Sequence, residues 1–416
     1  MSKRQRSDSP PSSSIIQVGP VEGVPSITFV CFNVNGIKSK LVPGTKELWL
    51  PSWLEKKSLT ADFLLLQEIR CGDLAVARSL ITATKFRREI SLEAGNKGHA
   101  GVGIFARVPS ATVALPPPPP PPPVVHARNG LPNYTSLGGL PLADPGRLNT
   151  IWIGAPYNVI LLNVYAPNSG VDEITEKPTN QAKREMWDDC FLKYVTSLLK
   201  DGIVVEQAAQ EGGGGGGGAG GGAGSSISTG GGAGAGGGGG GGSSHGDSRQ
   251  LPDFSRFIGR LLILGDLNVL PETADIRIAP NNRSRIYAGM HEFERANFKR
   301  LLSTTNLTDV WRHYNPLEGE GEGSEGFTFA DDRCQGRFDY ALASPSILPL
   351  LGPLTIDRTI PKGDHFPLTL TLRARETPPP PIVLSSSVTV AAVAVDDGDD
   401  DDDDDDADTI PEVVVT

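Results

Sequence analysis

The sequence predicts an α/β fold with sheets inside and helices covering them, and three observations predict it. Short β-rich apolar runs recur along the chain and end in polar clusters. Several of these runs are apolar throughout, as strands buried on both faces are. Stretches with helical spacing alternate with them, which places helices outside the sheets.

The elements fall in a definite order. The strand Ile27 to Phe32 leads into Asn33-Val34-Asn35-Gly36, a helical pattern covers Lys46 to Lys57, and Phe63 to Leu66 leads into Gln67-Glu68. Val102 to Ala106 and Leu148 to Ile153 follow, and Val159 to Val164 leads into Tyr165-Ala166-Pro167-Asn168. A second helical pattern runs from Ala182 to Lys200, Leu261 to Leu264 leads into Gly265-Asp266-Leu267-Asn268, and a third helix is expected from Met290 to Thr304. The strand Phe338 to Ala343 carries Asp339-Tyr340 at its start, and Gly363-Asp364-His365 precedes the last strand, Leu368 to Leu372.

Much of the chain is not core-forming, because the 50 glycines and 35 prolines fall in blocks. Residues 1–25 are rich in Ser and Pro and read as a disordered start. A Pro-rich insert spans about 110–145 and a Gly-rich insert about 207–250; both read as expanded surface loops, since loop closure costs little extra as length grows. Residues 377–416 read as a disordered acidic tail. One domain, 26–376, remains, and the pieces between the inserts are each too small to bury a core alone.

The net charge of -11 resides in that tail, which holds 11 Asp and one Glu and no Lys or Arg, leaving the rest of the chain at +1. A near-neutral body does not exclude a polyanionic substrate, because local basic patches bind phosphate. The tail reads either as a solvated solubility device or as a competitor of nucleic acid for a basic cleft. Four cysteines without C-x-x-C spacing suggest neither a zinc site nor a disulfide framework, and point to a reducing, intracellular compartment. Lys3, Arg4 and Arg6 fit a short nuclear import signal or a plain chain end. No segment is long and apolar enough to span a bilayer, so no membrane partner is expected.

Polar residues at one strand end mean little, because turns favour Asn, Asp and Gly anyway. Six such ends that supply Asn, Glu, Tyr, Asp and His are hard to reach by turn chemistry alone. If they converge on one rim, several carboxylates lie close together, which like-charge repulsion disfavours without a cation. A hard oxygen-ligated ion suits such a set, and a lone histidine without clustered cysteines speaks against zinc. His365 alone would read as an ordinary satisfied histidine, Tyr165 as a packing aromatic, and Trp187 and Trp311 as core residues on helix faces.

The runs Asn33-Val34-Asn35-Gly36, Leu66-Gln67-Glu68, Gly98-His99-Ala100-Gly101-Val102-Gly103, Tyr165-Ala166-Pro167-Asn168, Gly265-Asp266-Leu267-Asn268-Val269, Arg337-Phe338-Asp339-Tyr340 and Gly363-Asp364-His365 resemble the endonuclease/exonuclease/phosphatase superfamily. Within it they are most similar to the exonuclease III type of apurinic/apyrimidinic (AP) endonuclease. The resemblance implies a DNase I-like four-layer α/β sandwich of two packed mixed sheets flanked by helices. It also implies Mg²⁺-dependent hydrolysis of DNA on the 5′ side of abasic sites, with Mn²⁺ able to substitute. Abasic or 3′-blocked duplex DNA would be the partner, and the protein would act as a monomer.

Carried over residue by residue, the resemblance makes Glu68 and Asp364 metal ligands, with Asn35, Asp266, Asn268 and His365 completing the metal set. Asp266 would orient or deprotonate the attacking water, and Asn268 would hold the nucleophile and phosphate. His365, oriented by Asp339, would contact a phosphate oxygen, and Tyr165 would assist. Asn33, Gly98, His99, Arg147, Asn168 and Arg337 would bind DNA or phosphate. The match departs at Ala330 to Gly336, a loop shorter than the repair enzymes carry, where Ala330 and Gly336 replace bulky aromatics and Phe327, Phe329 and Phe338 are left to refill the wall. Other hydrolases of the superfamily stay open at this point: an RNA deadenylase, a phosphoinositide phosphatase or a tyrosyl-DNA phosphodiesterase. A catalytically dead scaffold is the reading from a different class.

Overall fold

Alternation along the first strand explains the layering. In β1 (Ser26–Asn33), Ile27, Phe29 and Cys31 enter one apolar cluster while Val30 and Phe32 enter another, and all five are buried. A strand apolar on both faces must be covered on both, here by a second sheet and by helices. The structure is a computed structural model and describes residues 25–37, 49–57, 60–82, 86, 88–95, 99–108, 124–129, 146–203, 253–282, 286–317, 326–360 and 363–375. Residues 1–24, the Gly-rich insert at 207–250, the acidic tail at 377–416, Gly98 and the start of the first expected helix lie outside the described residues.

After β1 come α1 (Trp49–Lys57), β2 (Phe63–Gln67), α2 (Leu74–Thr82), β3 (Arg88–Glu93), β4 (Val102–Ala106), β5 (Val124–Asn129), β6 (Leu148–Ile153), β7 (Val159–Tyr165) and α3 (Gln181–Asp201). The chain continues with β8 (Leu261–Asp266), β9 (Ile276–Ile278), α4 (Glu292–Thr305), β10 (Thr308–Asp309) and α5 (Val310–Tyr314). It ends with β11 (Phe329–Ala330), β12 (Cys334–Gly336), β13 (Asp339–Ala343), β14 (Thr355–Ile356) and β15 (Leu368–Arg373). One six-stranded sheet has the order β14-β15-β1-β2-β4-β3 and the other β10-β13-β8-β7-β6-β5; a small third sheet joins β11, β12 and β9.

The two large sheets pack face to face through Phe29, Phe63 and Leu65 of one and Ile151, Leu161 and Leu264 of the other. The outer face of the first sheet is covered by Leu50, Trp53 and Leu54 of α1 and Ala77 and Ile81 of α2. That of the second is covered by Trp187, Phe191 and Leu198 of α3 and Phe298 and Leu301 of α4. The expected four-layer α/β sandwich is therefore what forms, and Trp187 is a core residue at 2% exposure.

Two differences have local causes. Within the segment read as a Pro-rich loop insert, β5 pairs antiparallel with β6, from Val124↔Ile153 to Asn129↔Asn149. Its burial alternates between half-buried and exposed, the mark of an edge strand with little apolar signal to read. The segment from Phe329 to Gly336 is a short hairpin of the third sheet.

Two parallel pairings position the site. β1 lies parallel to β2, with Asn33 beside Gln67, and β7 lies parallel to β8, with Tyr165 beside Asp266. Parallel neighbours bring their carboxyl ends to one edge. The antiparallel strand β13 starts there, directly opposite, with Asp339 paired to Asp266. A buried amide network locks the sheets in this register: Asn163 Nδ2 donates to the carbonyls of Leu66 (3.0 Å) and Gly103 (3.1 Å) and to Asn149 Oδ1 (3.2 Å). These bonds satisfy polar groups that would otherwise be costly between two sheets.

Candidate active site

The edge holds a cavity of about 540 Å³ whose walls include Asn35, Glu68, Tyr165, Asn168, Asp266, Asn268, Asp364 and His365. Its centre is a buried dyad. His365 Nδ1 donates to Asp339 Oδ2 at 2.7 Å, and His365 Nε2 lies 4.0 Å from Asp266 Oδ2. The small hairpin fixes the histidine backbone: Ala330 N donates to Asp364 O (2.7 Å) and Phe366 N to Thr328 O (2.6 Å). The Phe329 ring packs edge-on against the imidazole at 5.1 Å.

Burial alone would push His365 down, but the Asp339 carboxylate and its hydrogen bond, with Asp266 and Asp364 behind it, hold it up at about 10. Burial and then the charge of Asp339 push Asp266 the other way for a carboxyl, up to about 7. Near neutral pH the site therefore pairs a cationic imidazole with a carboxyl poised to exchange a proton. Three ligand-type atoms of Asp266, Asp339 and His365 lie within 4.8 Å of one another, a spacing that suits a metal. Without an ion, the protonated imidazole is a charged donor, and with Asp266 and Asp339 His365 also belongs to the cluster whose spacing suits a metal.

Asp266 is also held by amides. Asn33 Nδ2 donates to its Oδ2 at 2.8 Å across the two sheets, and its Oδ1 accepts from the backbone of Asn268 at 2.8 Å. Asn33 is 2% exposed, so the expected DNA contact is corrected to an internal one that aims Asp266. The Asn268 side chain donates to Ala166 O (2.9 Å) and Asp266 Oδ2 (3.3 Å), and its Oδ1 accepts from Asn168 (3.1 Å). Asn268 thus links the two parallel strand ends, and its left-handed backbone, φ 48°, suits an asparagine.

Glu68 and Asp364 occupy the other wall. Each draws a nitrogen partner: Glu68 is ion-paired with Arg70, and Asp364 accepts from Asn35 Nδ2. Asn35 is oriented by its own backbone N–H on Asn33 Oδ1, at 2.9 Å. Two carboxylates and an amide that offer hard oxygen donors to one cavity fit a divalent oxygen-ligated cation. Tyr165 bonds to Glu68, and burial, followed by the Glu68 charge, raises its phenol so far that it stays protonated as a donor. The Arg147 guanidinium stacks on the Tyr165 ring at 4.5 Å.

Arg337 is corrected outright. It is 3% exposed, with Nε 2.8 Å from Asp275 Oδ1, Nη1 2.6 Å from Asp309 Oδ2 and Cζ 4.5 Å over the Tyr340 ring. A guanidinium saturated by two buried carboxylates cannot reach a phosphate. His99 is exposed and lines a second groove with Arg70 and Arg147. Phe329 and Phe338 line the cavity as expected, whereas Phe327 is buried beneath the Arg277 guanidinium.

Two positioning residues escaped the sequence reading. Arg70 sits two places after Glu68, which is the signal that could have found it. Arg184, on α3 and 3% exposed, donates to the carbonyls of Pro167 (2.8 Å), Leu267 (2.9 Å) and Asn268 (3.2 Å), clamping the loops that carry Asn168 and Asn268. Nothing in its helical setting distinguishes it from a surface arginine.

A model of the endonuclease/exonuclease/phosphatase family matches residues 30–367. The chain belongs to this family. Among solved structures, an AP endonuclease from Leishmania major superposes at a TM-score of 0.52 and 19% identity, covering 84% of this chain and 88% of that one. A 3′ phosphatase from Neisseria bound to a product DNA hairpin matches at 0.49 and 19% identity, over 83% of this chain and 98% of its own. An AP endonuclease from Archaeoglobus fulgidus matches at 0.49 and 20% identity, over 83% and 99%. At 19% identity the likeness to the Leishmania structure speaks to the fold alone, and the family member described here shares the DNase I-like architecture. Among the described residues no helix is long and apolar enough to cross a membrane.

Proposed function

We propose that this family member is a Mg²⁺-dependent DNA phosphodiesterase that cleaves 5′ to abasic sites or trims blocked 3′ ends in base excision repair. The observation that carries the reading is the Asp339–His365 pair set 4.0 Å from Asp266 at the joint of two parallel strand pairs. It supplies both groups that hydrolysis of a phosphodiester demands, a proton acceptor for water and a positive charge for the phosphate.

Asp266 takes the proton of the attacking water as the water oxygen bonds to phosphorus and the P–O3′ bond breaks, and the departing 3′ oxygen takes a proton from solvent. His365 offers its Nε2 proton to a non-bridging phosphate oxygen, where charge develops in the transition state, and Asp339 keeps that proton in place. Tyr165, Asn168 and Asn268 hold the phosphate by hydrogen bonds that position it without reading sequence. Glu68 and Asp364, with Asn35, would hold the divalent ion, which when bound supplies polarisation of phosphate oxygens. The free, buried Cys31, Cys71, Cys190 and Cys334 suit a reducing compartment.

The test is one panel: purified protein with Mg²⁺, Mn²⁺ or chelator against abasic duplex, recessed 3′ ends, single-stranded RNA and an inositol phosphate. Metal-dependent turnover of the DNA arms is expected. Turnover confined to RNA or to the inositol phosphate overturns the DNA assignment while leaving hydrolysis intact.

A further inference from the structure

The two members of the dyad belong to different sheets. Asp339 opens β13, which is paired with β8 and β10, whereas His365 precedes β15, which is paired with β1 and β14. Neither ladder of strand pairing therefore fixes one against the other. A misplacement of about 1 Å between reacting groups can cost on the order of 100-fold in rate, so another contact must set their separation.

Thr328, which stands just before β11 of the small third sheet, reaches both. It is buried, and its Oγ1 accepts from the backbone N–H of Phe338 at 3.1 Å and of Asp339 at 3.0 Å. Its carbonyl accepts from Phe366 N at 2.6 Å, and its own N–H donates to Gly336 O at 2.9 Å. One residue thus holds the backbone of the carboxylate through its side chain and the backbone beside the imidazole through its main chain. The next two residues continue the contact: Phe329 is bridged to His365, and Ala330 N donates to Asp364 O at 2.7 Å.

The chemistry of this side chain suits the task. A hydroxyl oxygen has two lone pairs, enough for both N–H groups. The β-branch restricts χ1, which keeps that oxygen aimed. Phe338 and Asp339 are themselves buried, so removing the oxygen leaves two N–H donors unpaired, and the peptide that carries Asp339 must move to relieve them. Thr328 does not line the cavity, so this effect is separate from contact with substrate.

We infer that Thr328 is the third positioning residue of the site: its hydroxyl sets where Asp339 stands and its carbonyl where His365 stands, so that the hydroxyl governs turnover and not substrate binding. The kinetic consequence rests on the phosphodiesterase reading; the placement of the dyad does not.

The variants are T328V, which keeps the shape and removes the hydroxyl, and T328S, which keeps the hydroxyl. T150V is the control, because Thr150 Oγ1 and the Tyr194 hydroxyl share a buried hydrogen bond of 2.7 Å and neither lines the cavity. All are assayed as full chains with Mg²⁺, on whichever phosphoester of the panel above the parent turns over fastest, at a temperature where thermal denaturation shows each to be folded. T328V is expected to lose about 30-fold or more in kcat with KM inside about twofold, since Tyr165, Asn168 and Asn268 hold the phosphate from other strands. T328S, with a freer side chain, is expected within about threefold of the parent. T150V is expected within about twofold in kcat, however far its Tm falls, because the two sites are independent. Proton NMR of the same samples reads the dyad without substrate: the His365 Nδ1–H resonance, identified by its loss in H365Q, should survive in T328S and vanish by faster exchange in T328V. If T328V does not fold, T328A against T328S makes the same comparison. A hydroxyl-free variant with parental kcat, a loss carried by KM, a T328S impaired as much as T328V, or a loss that T150V shares overturns the inference. Turnover of no substrate by the parent overturns the phosphodiesterase reading instead, and the resonance then decides this inference by itself.

Discussion

Replacing Asp339 by Asn keeps the shape of the dyad and removes its charge. In the parent, Asp339 is the leading influence that raises His365, acting through a 2.7 Å hydrogen bond and holding the imidazole at about 10 against the opposing effect of burial. Without that carboxylate, burial is opposed only by Asp266 and Asp364, and His365 drops toward or below the ordinary value near 6.5. A histidine titrating at about 6.5 is mostly protonated at pH 6 but only about 3% protonated at pH 8, a loss of about 25-fold in the active form. Loss of a preorganised, charged donor costs a further 10²-fold or so in kcat. The assay is kcat/KM on the preferred DNA substrate with Mg²⁺ from about pH 5.5 to 9.5. D339N should lose activity steeply across neutrality, whereas the parent should keep its alkaline limb well above pH 8. A variant with a parent-like pH profile, whatever its absolute rate, would refute the claim that Asp339 works by holding the proton on His365.

Arg337→Met strands two buried carboxylates, Asp275 and Asp309, and should destabilise the fold by about 3–5 kcal/mol in denaturant titration; DNA affinity of the folded protein should not change. Weaker DNA binding at full stability would restore the phosphate role that the geometry denies it. In metal-free protein, Asp266 (raised to about 7) and His365 (raised to about 10) both hold protons more tightly folded than unfolded. Stability should then fall as pH rises, from about 4 to 7 through Asp266 and from about 6.5 to 10 through His365, and calorimetry that shows a flat Tm across pH 6 to 9 contradicts those shifts. Saturating Mg²⁺, at about 100 times its Kd, should stabilise the chain by about 2.7 kcal/mol, and E68Q or D364N should abolish most of that gain in a thermal-shift assay. An undiminished gain would place the ion elsewhere.

The sheets were legible because their strands are continuous apolar runs, and such runs demand cover on both faces. β3 and β5 were not, since Arg88–Glu93 and Val124–Asn129 mix charges with apolar residues and lie at sheet edges. The polar residues after the buried strands were legible for a related reason: Asn33, Glu68, Tyr165 and Asp266 interrupt runs that otherwise have no reason to end in polarity. What the pattern does not encode is the partner. Asn33 and Asn35 look alike in sequence, yet Asn33 reaches across to Asp266 while Asn35 faces Asp364 in the cavity. Arg337 adjoins the site motif but turns away, because Asp275 and Asp309 come from segments 62 and 28 residues distant.

That distinction bears on how the site is built. Asp266 and Asp339 face each other on paired strands, a like-charge contact that costs stability in a buried setting unless a positive charge stands beside it. His365 is the cation that the structure supplies, and it arrives from the segment preceding β15, a strand of the other sheet. The pairing of the sheets and the protonation of the dyad are therefore one condition, since separating the layers would remove the imidazole from two carboxylates at once. Asn33, bonded across the same joint, acts as the neutral half of that link. Its replacement by Ala should free the Asp266 carboxylate without changing the net charge, and so lower kcat more than it lowers stability.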